Sequence, residues 1–239
     1  MRIASLLLAG LLSAPTVACA QRIQLDGSQL RPATDTSYTL VVSPSRVDTI
    51  GWATQTLTRI RAPSGDAWVQ VYRWHDRDGT DSADSLVMSM DLSPITETRN
   101  TPLGSVAVTY TGPRVQAAVQ PASGSRRTVD TTFASTVYAS AAVDAMARAL
   151  APSGTSPLVD FYYPFPAPLG LRQGQFQAGG SATIRGRGGI AVPCWVVIAH
   201  TVGGATTFWV SKATGEVVQF DDHEGGTIFR FRRPGAPAA

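Results

Sequence analysis

The run His223-Glu224-Gly225-Gly226-Thr227 carries the first two residues of the H-E-x-x-H zinc-protease pattern. That pattern sets two histidines four apart on one helical face, so that both reach one zinc ion while the glutamate activates a water. Here the position four beyond His223 is Thr227, and the paired glycines disfavour a helix. The segment reads instead as a turn between two strands, with Asp221, Asp222 and His223 capping it. A second acidic run, His75-Asp76-Arg77-Asp78-Gly79-Thr80-Asp81-Ser82-Ala83-Asp84, holds four aspartates and suggests a calcium loop. An EF-hand loop needs Gly at its sixth position and Glu at its twelfth. Counted from Asp76, Gly79 comes fourth and Val87 twelfth. A solvated loop turned by Asp78-Gly79 is the better reading, and no metal ligands are assigned.

Nucleophilic chemistry is no better supported. Cys194 and His200 share one strand phase, but that separation along a strand is about 20 Å, too far for a nucleophile and its base. There is no G-x-S-x-G elbow. The single lysine, Lys212, follows Ser211 and lies in no glycine frame that would cradle a phosphate. Arg185-Gly186-Arg187-Gly188-Gly189 could grip an anion through guanidinium forks and free amides, although a flexible loop is the plainer reading. The expectation is a chain that is not an enzyme, with no catalytic residues, metal or cofactor.

Composition narrows the class further. Of 239 residues 44% are hydrophobic and 15% charged, which suits a folded domain with a core. The net charge of +3 is a small excess of Arg without a dense basic patch, so no nucleic-acid partner is expected. At the N-terminus, Arg2, the apolar stretch 3–12 and Ala18-Cys19-Ala20 form a signal-peptide pattern over 1–20, with Gln21 as the new first residue. The chain should then be exported and periplasmic or outer-membrane-associated. Thr16-Val17-Ala18-Cys19 also loosely resembles a lipobox, which would make Cys19 a lipidated first residue, but Thr16 stands where that motif has Leu. Cleavage after Ala20 leaves Cys194 as the one cysteine, hence no internal disulfide. No other apolar run is long enough to span a bilayer, so no transmembrane segment is expected after cleavage.

The elements that would position any site are mostly strands. Residues 21–37 read as a poorly ordered lead-in, 38–233 as a single β-rich domain, and 234–239 as a mobile tail. Period-2 patterns recur over 49–60, 67–75, 85–92, 104–110 and 114–120, with turn residues between them. In 85–92, Leu86, Met88, Met90 and Leu92 share one face; in 49–60, Ile50, Trp52, Thr54, Thr56, Thr58 and Ile60 do so. One helix interrupts the series: Ser140 is a candidate N-cap, Val143, Met146, Ala147 and Leu150 make an apolar stripe, and Pro152 and Gly154 end it. Strands resume at 158–163, 194–202 and 227–232. Between the last two lies TTFWVSKATGEVVQF, residues 206–220, which reads as a hairpin with Gly215 supplying the positive φ of its turn. The Gly- and Gln-rich stretch 175–189 has no clear period.

Several strands are apolar on both faces, 67–75 and 194–202 most clearly. In a curved sheet one such face can pack on neighbours while the other lines a hollow. Trp52, Trp68, Tyr72, Trp74, Met88, Met90, Met146, Trp195 and Trp209 are therefore the candidate ligand-binding residues. Thioethers and aromatic rings suit an irregular apolar guest, although the same residues also build ordinary cores.

The run Asp84-Ser85-Leu86-Val87 through Pro94 and Thr96, the VAVTYTGPRV that follows and the later FWVSKATGEVVQF resemble a family of exported bacterial β-rich domains of unknown function. That family is similar to the periplasmic carriers of outer-membrane lipoproteins. The resemblance implies an open, unclosed β-barrel with helix plugging its concave side. Together these readings predict a mainly β chain, a single antiparallel, strongly curved sheet or half-barrel of about ten to eleven strands, with one short helix against the concave face. The function expected is non-catalytic: holding or carrying an apolar, lipid-like ligand in that concave face. The alternative is a structural or protein-interaction module of the cell envelope with a filled interior.

Overall fold

A computed structural model describes residues 25–63, 65–164, 170–185, 189–201, 204–224 and 227–233. The signal peptide, Cys19, the first residues of the lead-in, Gly186-Arg187-Gly188, Gly225-Gly226 and the tail 234–239 lie outside the described residues.

Two meanders make one sheet. The first comprises β1 (Ala33–Val42), β2 (Val47–Ala62), β3 (Gly65–Asp76), β4 (Asp81–Ser89), β5 (Pro94–Thr101), β6 (Gly104–Thr111), β7 (Arg114–Pro121) and β8 (Arg127–Thr132). The second comprises β9 (Tyr138–Ala139), β10 (Leu158–Tyr163), β11 (Gly170–Arg185), β12 (Ala191–Thr201), β13 (Gly204–Ser211), β14 (Val217–Glu224) and β15 (Thr227–Arg232). Between β9 and β10 the chain makes a 3-10 turn, Ser140–Ala142, and the helix α1, Val143–Leu150. The sheet order is β8 through β1 in reverse, then β15 through β9 in reverse. The meanders meet where β1 pairs with β15, with Leu40 opposite Arg230. The ladder does not close, and β8 and β9 are its two edges.

Fifteen strands stand where about ten to eleven were expected. The additional ones are β5, β8, β9 and β11. β8 (RTVDTT) is an edge strand whose one apolar residue, Val129, packs against the core, too little to mark a period in the sequence. β11 is long but rich in Gly and Gln, so its period is faint. Nor is the sheet wholly antiparallel: β9 pairs with β10 in parallel, Phe161 beside Tyr138, because the intervening helix returns the chain in the same direction.

Order also begins earlier than expected. The sheet starts at Ala33, five residues ahead of Tyr38. Leu25 and Leu30 are buried, and a 3-10 turn at Gly27–Gln29 is capped by Asp26, whose carboxylate accepts the Ser28 amide at 2.8 Å. Met90 O accepts the Gly27 amide at 2.8 Å, and Gly27 O accepts Trp68 Nε1 at 3.1 Å. Three local differences accompany this. β4 stops at Ser89, so Met90 and Leu92 lie in a turn, Leu92 with a φ of 61°. Ser140 sits in the 3-10 turn and makes no cap hydrogen bond to α1. On β2 the apolar pattern of Ile50, Trp52 and Ile60 faces outward, while Ala53 and Leu57 are buried inward.

The core lies on the concave face. Leu57, Trp68, Leu86, Met88, Val106, Val108 and Val115 of the first meander meet Phe161, Phe176, Val197 and Phe208 of the second. α1 lies between them, burying Ala145, Met146, Ala147 and Leu150. A helix this short is marginal alone in water, so this packing holds it. One close approach is worth testing. The β1–β2 ladder shifts between Thr39 and Leu40, next to buried Gly51. A Cβ at Gly51 would meet His75 O at 2.4 Å and Trp74 Nε1 at 2.9 Å. Gly51→Ala is expected to cost about 1–3 kcal/mol, the usual range for overpacking. A thermal unfolding midpoint equal to the parent's would contradict that packing.

Candidate functional site

A polar row crosses the concave face at the end left open by α1. Gln55, Tyr72, Asp84 and Arg99 are successive register partners on β2, β3, β4 and β5, so their side chains stand side by side. One step along those strands lies the row Leu57, Gln70, Leu86 and Glu97. Across the opening, Thr206 and Phe208 of β13 face Asp222 and Phe220 of β14. The start of α1, with Ser140, Val143 and Asp144, forms the third wall. Together these enclose a hollow of about 420 Å³, within the range of small-molecule sites. A second hollow of about 350 Å³ adjoins it, sharing Tyr72, Asp84 and Arg99 and continuing along Trp74, Pro102 and Leu103.

Hydrogen bonds fix the walls. Gln55 Nε2 donates to Asp144 Oδ2 and Gln70 Nε2 to Ala141 O, both at 2.8 Å, tying the sheet to the start of α1. Arg99 lies between two carboxylates, its Nε 3.1 Å from Asp84 Oδ2 and its Nη2 3.5 Å from Glu97 Oε1. Tyr110 donates its hydroxyl to Glu97 Oε2 at 2.7 Å. Thr206 Oγ1 is 3.1 Å from Asp222 Oδ1.

Burial dominates the protonation of these groups. It raises the Asp84 carboxyl, with Arg99 opposing. It likewise raises Asp144, against Arg148 and the Gln55 hydrogen bond, and Glu97, against Arg99 and Tyr110. The Tyr72 hydroxyl is pushed well above its ordinary value, first by burial and then by the Asp84 and Asp144 charges.

The nine residues expected at the site are scattered. Tyr72 lines both hollows and Trp74 the second. Trp68, Met88 and Met146 are fully buried in the core, where they fill the concave face instead of lining a space. Met90 and Trp195 are partly buried against the same core. Trp52 and Trp209 lie on the opposite face of the sheet. Trp52 is 41% exposed and stacks on His75 at 3.8 Å between ring centroids. The polar members of the site, Gln55, Gln70, Asp84, Arg99 and Asp144, were not among the nine. Their signal was in the strand phase: Gln70 and Tyr72 continue the face of Trp68, and Asp84 that of Leu86 and Met88.

The other sequence motifs go elsewhere. His75 Nδ1 pairs with Asp81 Oδ1 at 2.7 Å, Asp76 accepts the Arg77 amide, and Asp78 accepts the Thr80 amide. His75 stacks on Trp52 on the outward face, and none of His75, Asp76, His223 and Glu224 lines either hollow. Among the described residues, no group of three or more His, Cys, Asp or Glu could hold a metal ion. Cys194 is buried, which raises its thiol, and exposed His200 lies toward the other end of β12. The hairpin at 206–220 supplies part of the wall: Phe208 and Phe220 are direct partners, and Gly215, with a φ of 71°, turns the chain with its amide donating to Ser211 O at 2.9 Å.

An open sheet around a short helix has a match among solved structures. The chain is similar in fold to a β-barrel-like protein. That protein, of the domain of unknown function DUF1849 from Brucella abortus, aligns with a TM-score of 0.62 at 10% identity, over 87% of this chain and 97% of its own. A DUF1329 family protein from Desulfovibrio piger aligns at a TM-score of 0.25 and 9% identity, over 88% of this chain and 89% of its own, too low to bear on the fold. No family model matches the sequence. No curated protein matches it either. A mainly β, barrel-like domain is therefore established. Among the described residues, no helix is long and apolar enough to cross a membrane.

Proposed function

We propose that the chain is a non-catalytic, exported domain, periplasmic or outer-membrane-associated, that holds a small ligand with an apolar body in its concave face. The observation that carries this is a pair of adjoining hollows, one of about 420 Å³ between the sheet and the start of α1 and one of about 350 Å³ along β3, β4 and the end of β5. Their apolar lining includes Leu86, Val143, Phe208 and Phe220 in the first and Trp74, Pro102 and Leu103 in the second. The signal-peptide pattern of residues 1–20 supports export. The filled core around Trp68, Met88 and Met146 limits the guest to the open end of the half-barrel, so a short chain fits and a bundle of long acyl chains does not.

Native mass spectrometry of protein taken gently from the cell envelope tests this. The expected result is a population heavier than the chain by one small molecule, released on denaturation. A clean chain mass, together with no displacement of a short-chain fluorescent amphiphile, would overturn it. The second reading, a structural or interaction module of the envelope, rests on the same filled core and would stand if the hollows bind nothing.

A further inference from the structure

Resting on that reading, we propose that the polar end of the ligand is a primary ammonium group, received between Gln70, Ser140, Asp144 and Asp222. The first observation is charge. The chain as a whole is +3, yet the larger hollow is lined by Asp84, Asp144 and Asp222 against Arg99 alone. The cations around it are engaged. Arg99 stands between Asp84 and Glu97. Arg148 donates from Nε to Gly215 O and from Nη2 to Arg31 O. Arg233 pairs with Asp35 at 2.5 Å and Glu216 at 3.1 Å. A cationic ligand would favour the charged forms of Asp84 and Asp144 against the burial that raises them, whereas an anionic ligand would add to that burden and meet cations already committed.

The second observation is independent of charge. Gln70 is only 5% exposed and spends its amide nitrogen on Ala141 O, which leaves Oε1 without a partner among the described residues. Asp144 receives Gln55 on Oδ2 and keeps Oδ1 unpartnered, and Ser140 Oγ is unpartnered as well. All three residues line the same hollow, with the unpartnered atoms themselves buried behind its surface. Two are pure acceptors and the third can accept. An unsatisfied buried acceptor is costly, and a group with several donors and no acceptor is its complement. An ammonium has three donors and no acceptor; a carboxylate has the reverse. Leu86, Val143, Phe208 and Phe220 would cover the first carbons, and the second hollow, past Tyr72 to Trp74 and Leu103, would take the rest. Tyr72 and Trp74 also offer aromatic faces of the kind that attract ammonium groups.

Calorimetric titration of the full chain with n-hexylammonium, hexanol and hexanoate at neutral pH and low salt separates the possibilities, since the three share one apolar body. The expected order is ammonium first, at least about tenfold tighter than hexanoate, with hexanol between them. Asp144→Asn keeps an oxygen for Gln55 and removes the charge. It should weaken hexylammonium about tenfold and hexanol by a clearly smaller factor. Asp222→Asn, on a different wall, should weaken the ammonium in the same selective way. Equal affinity for the three probes, or a preference for hexanoate, would overturn the ammonium assignment and leave a binding domain for other ligands. Absence of binding for all three would overturn the assignment and the ligand-holding role together.

Discussion

Trp68→Ala is expected to lower the free energy of unfolding by about 3–5 kcal/mol, the usual cost of removing a large buried ring. Trp68 is 1% exposed, stands opposite Met88 across the β3–β4 ladder, and donates its indole N–H to Gly27 O. The loss therefore combines a cavity with the release of an N-terminal segment whose Gly27 amide is itself held by Met90 O. Trp68→Phe separates the two contributions. It keeps most of the apolar contact and leaves the Gly27 carbonyl unmet, for about 1–3 kcal/mol. Urea unfolding followed by far-ultraviolet circular dichroism measures both variants. If Trp68→Ala unfolded at the parent's midpoint, the concave face would not be packed around that ring.

Arg99→Ala carries an effect of similar size and adds a pH signature. Removing one member of a buried ion group leaves the others charged and uncompensated, typically at about 3–5 kcal/mol. Here the stranded groups are Glu97, whose side chain is 0% exposed, and Asp84, at 23%. Burial already raises both carboxyls in the folded chain, with Arg99 restraining the rise. Between the ordinary carboxylate value and the raised one, the folded chain binds more protons than the unfolded chain, so stability falls as pH rises through that window. Without Arg99 the window extends upward and the fall deepens. The variant should be close to the parent near about pH 4, where the carboxyls are largely protonated in both states, and furthest below it at neutral pH. A deficit that is constant across this range would show that Arg99 acts through packing alone. Adding Glu97→Gln and Asp84→Asn to Arg99→Ala should recover much of the loss at neutral pH.

How legible this was in the sequence depended on how strongly each segment alternates. β3, β4, β6 and β7 alternate because one side meets the core and the other meets solvent, and they were found. β8 carries little such contrast, since Val129 is its one apolar residue, and β11 spreads its contrast over many glycines and glutamines. β5 was hidden because its inward positions are Glu97 and Arg99, which read as a solvated face until the register sets them beside Asp84 and Tyr110. The candidate site was missed for the same reason. Apolar residues alone suggest the lining, but the strongest of them, Trp68, Met88 and Met146, are spent in the closed core. What the open end retained was the polar part of each inward phase. Only pairing across strands distant in sequence shows that Gln55, Gln70 and Asp144 meet.

The seam between β1 and β15 has a consequence for the order in which this molecule assembles. Nearly all other neighbours in the sheet are also neighbours along the chain, so their contacts close over short loops at modest entropic cost. The seam joins Tyr38 to Arg232, and its closure must wait for almost the whole polypeptide to be available. Until then β1 is an unpaired border in the middle of what will become a continuous surface, offering its amides and carbonyls to any passing strand. The slow, vulnerable step of acquiring the native state is thus placed at the centre of the finished structure, and the last-made strand is the one that removes the hazard.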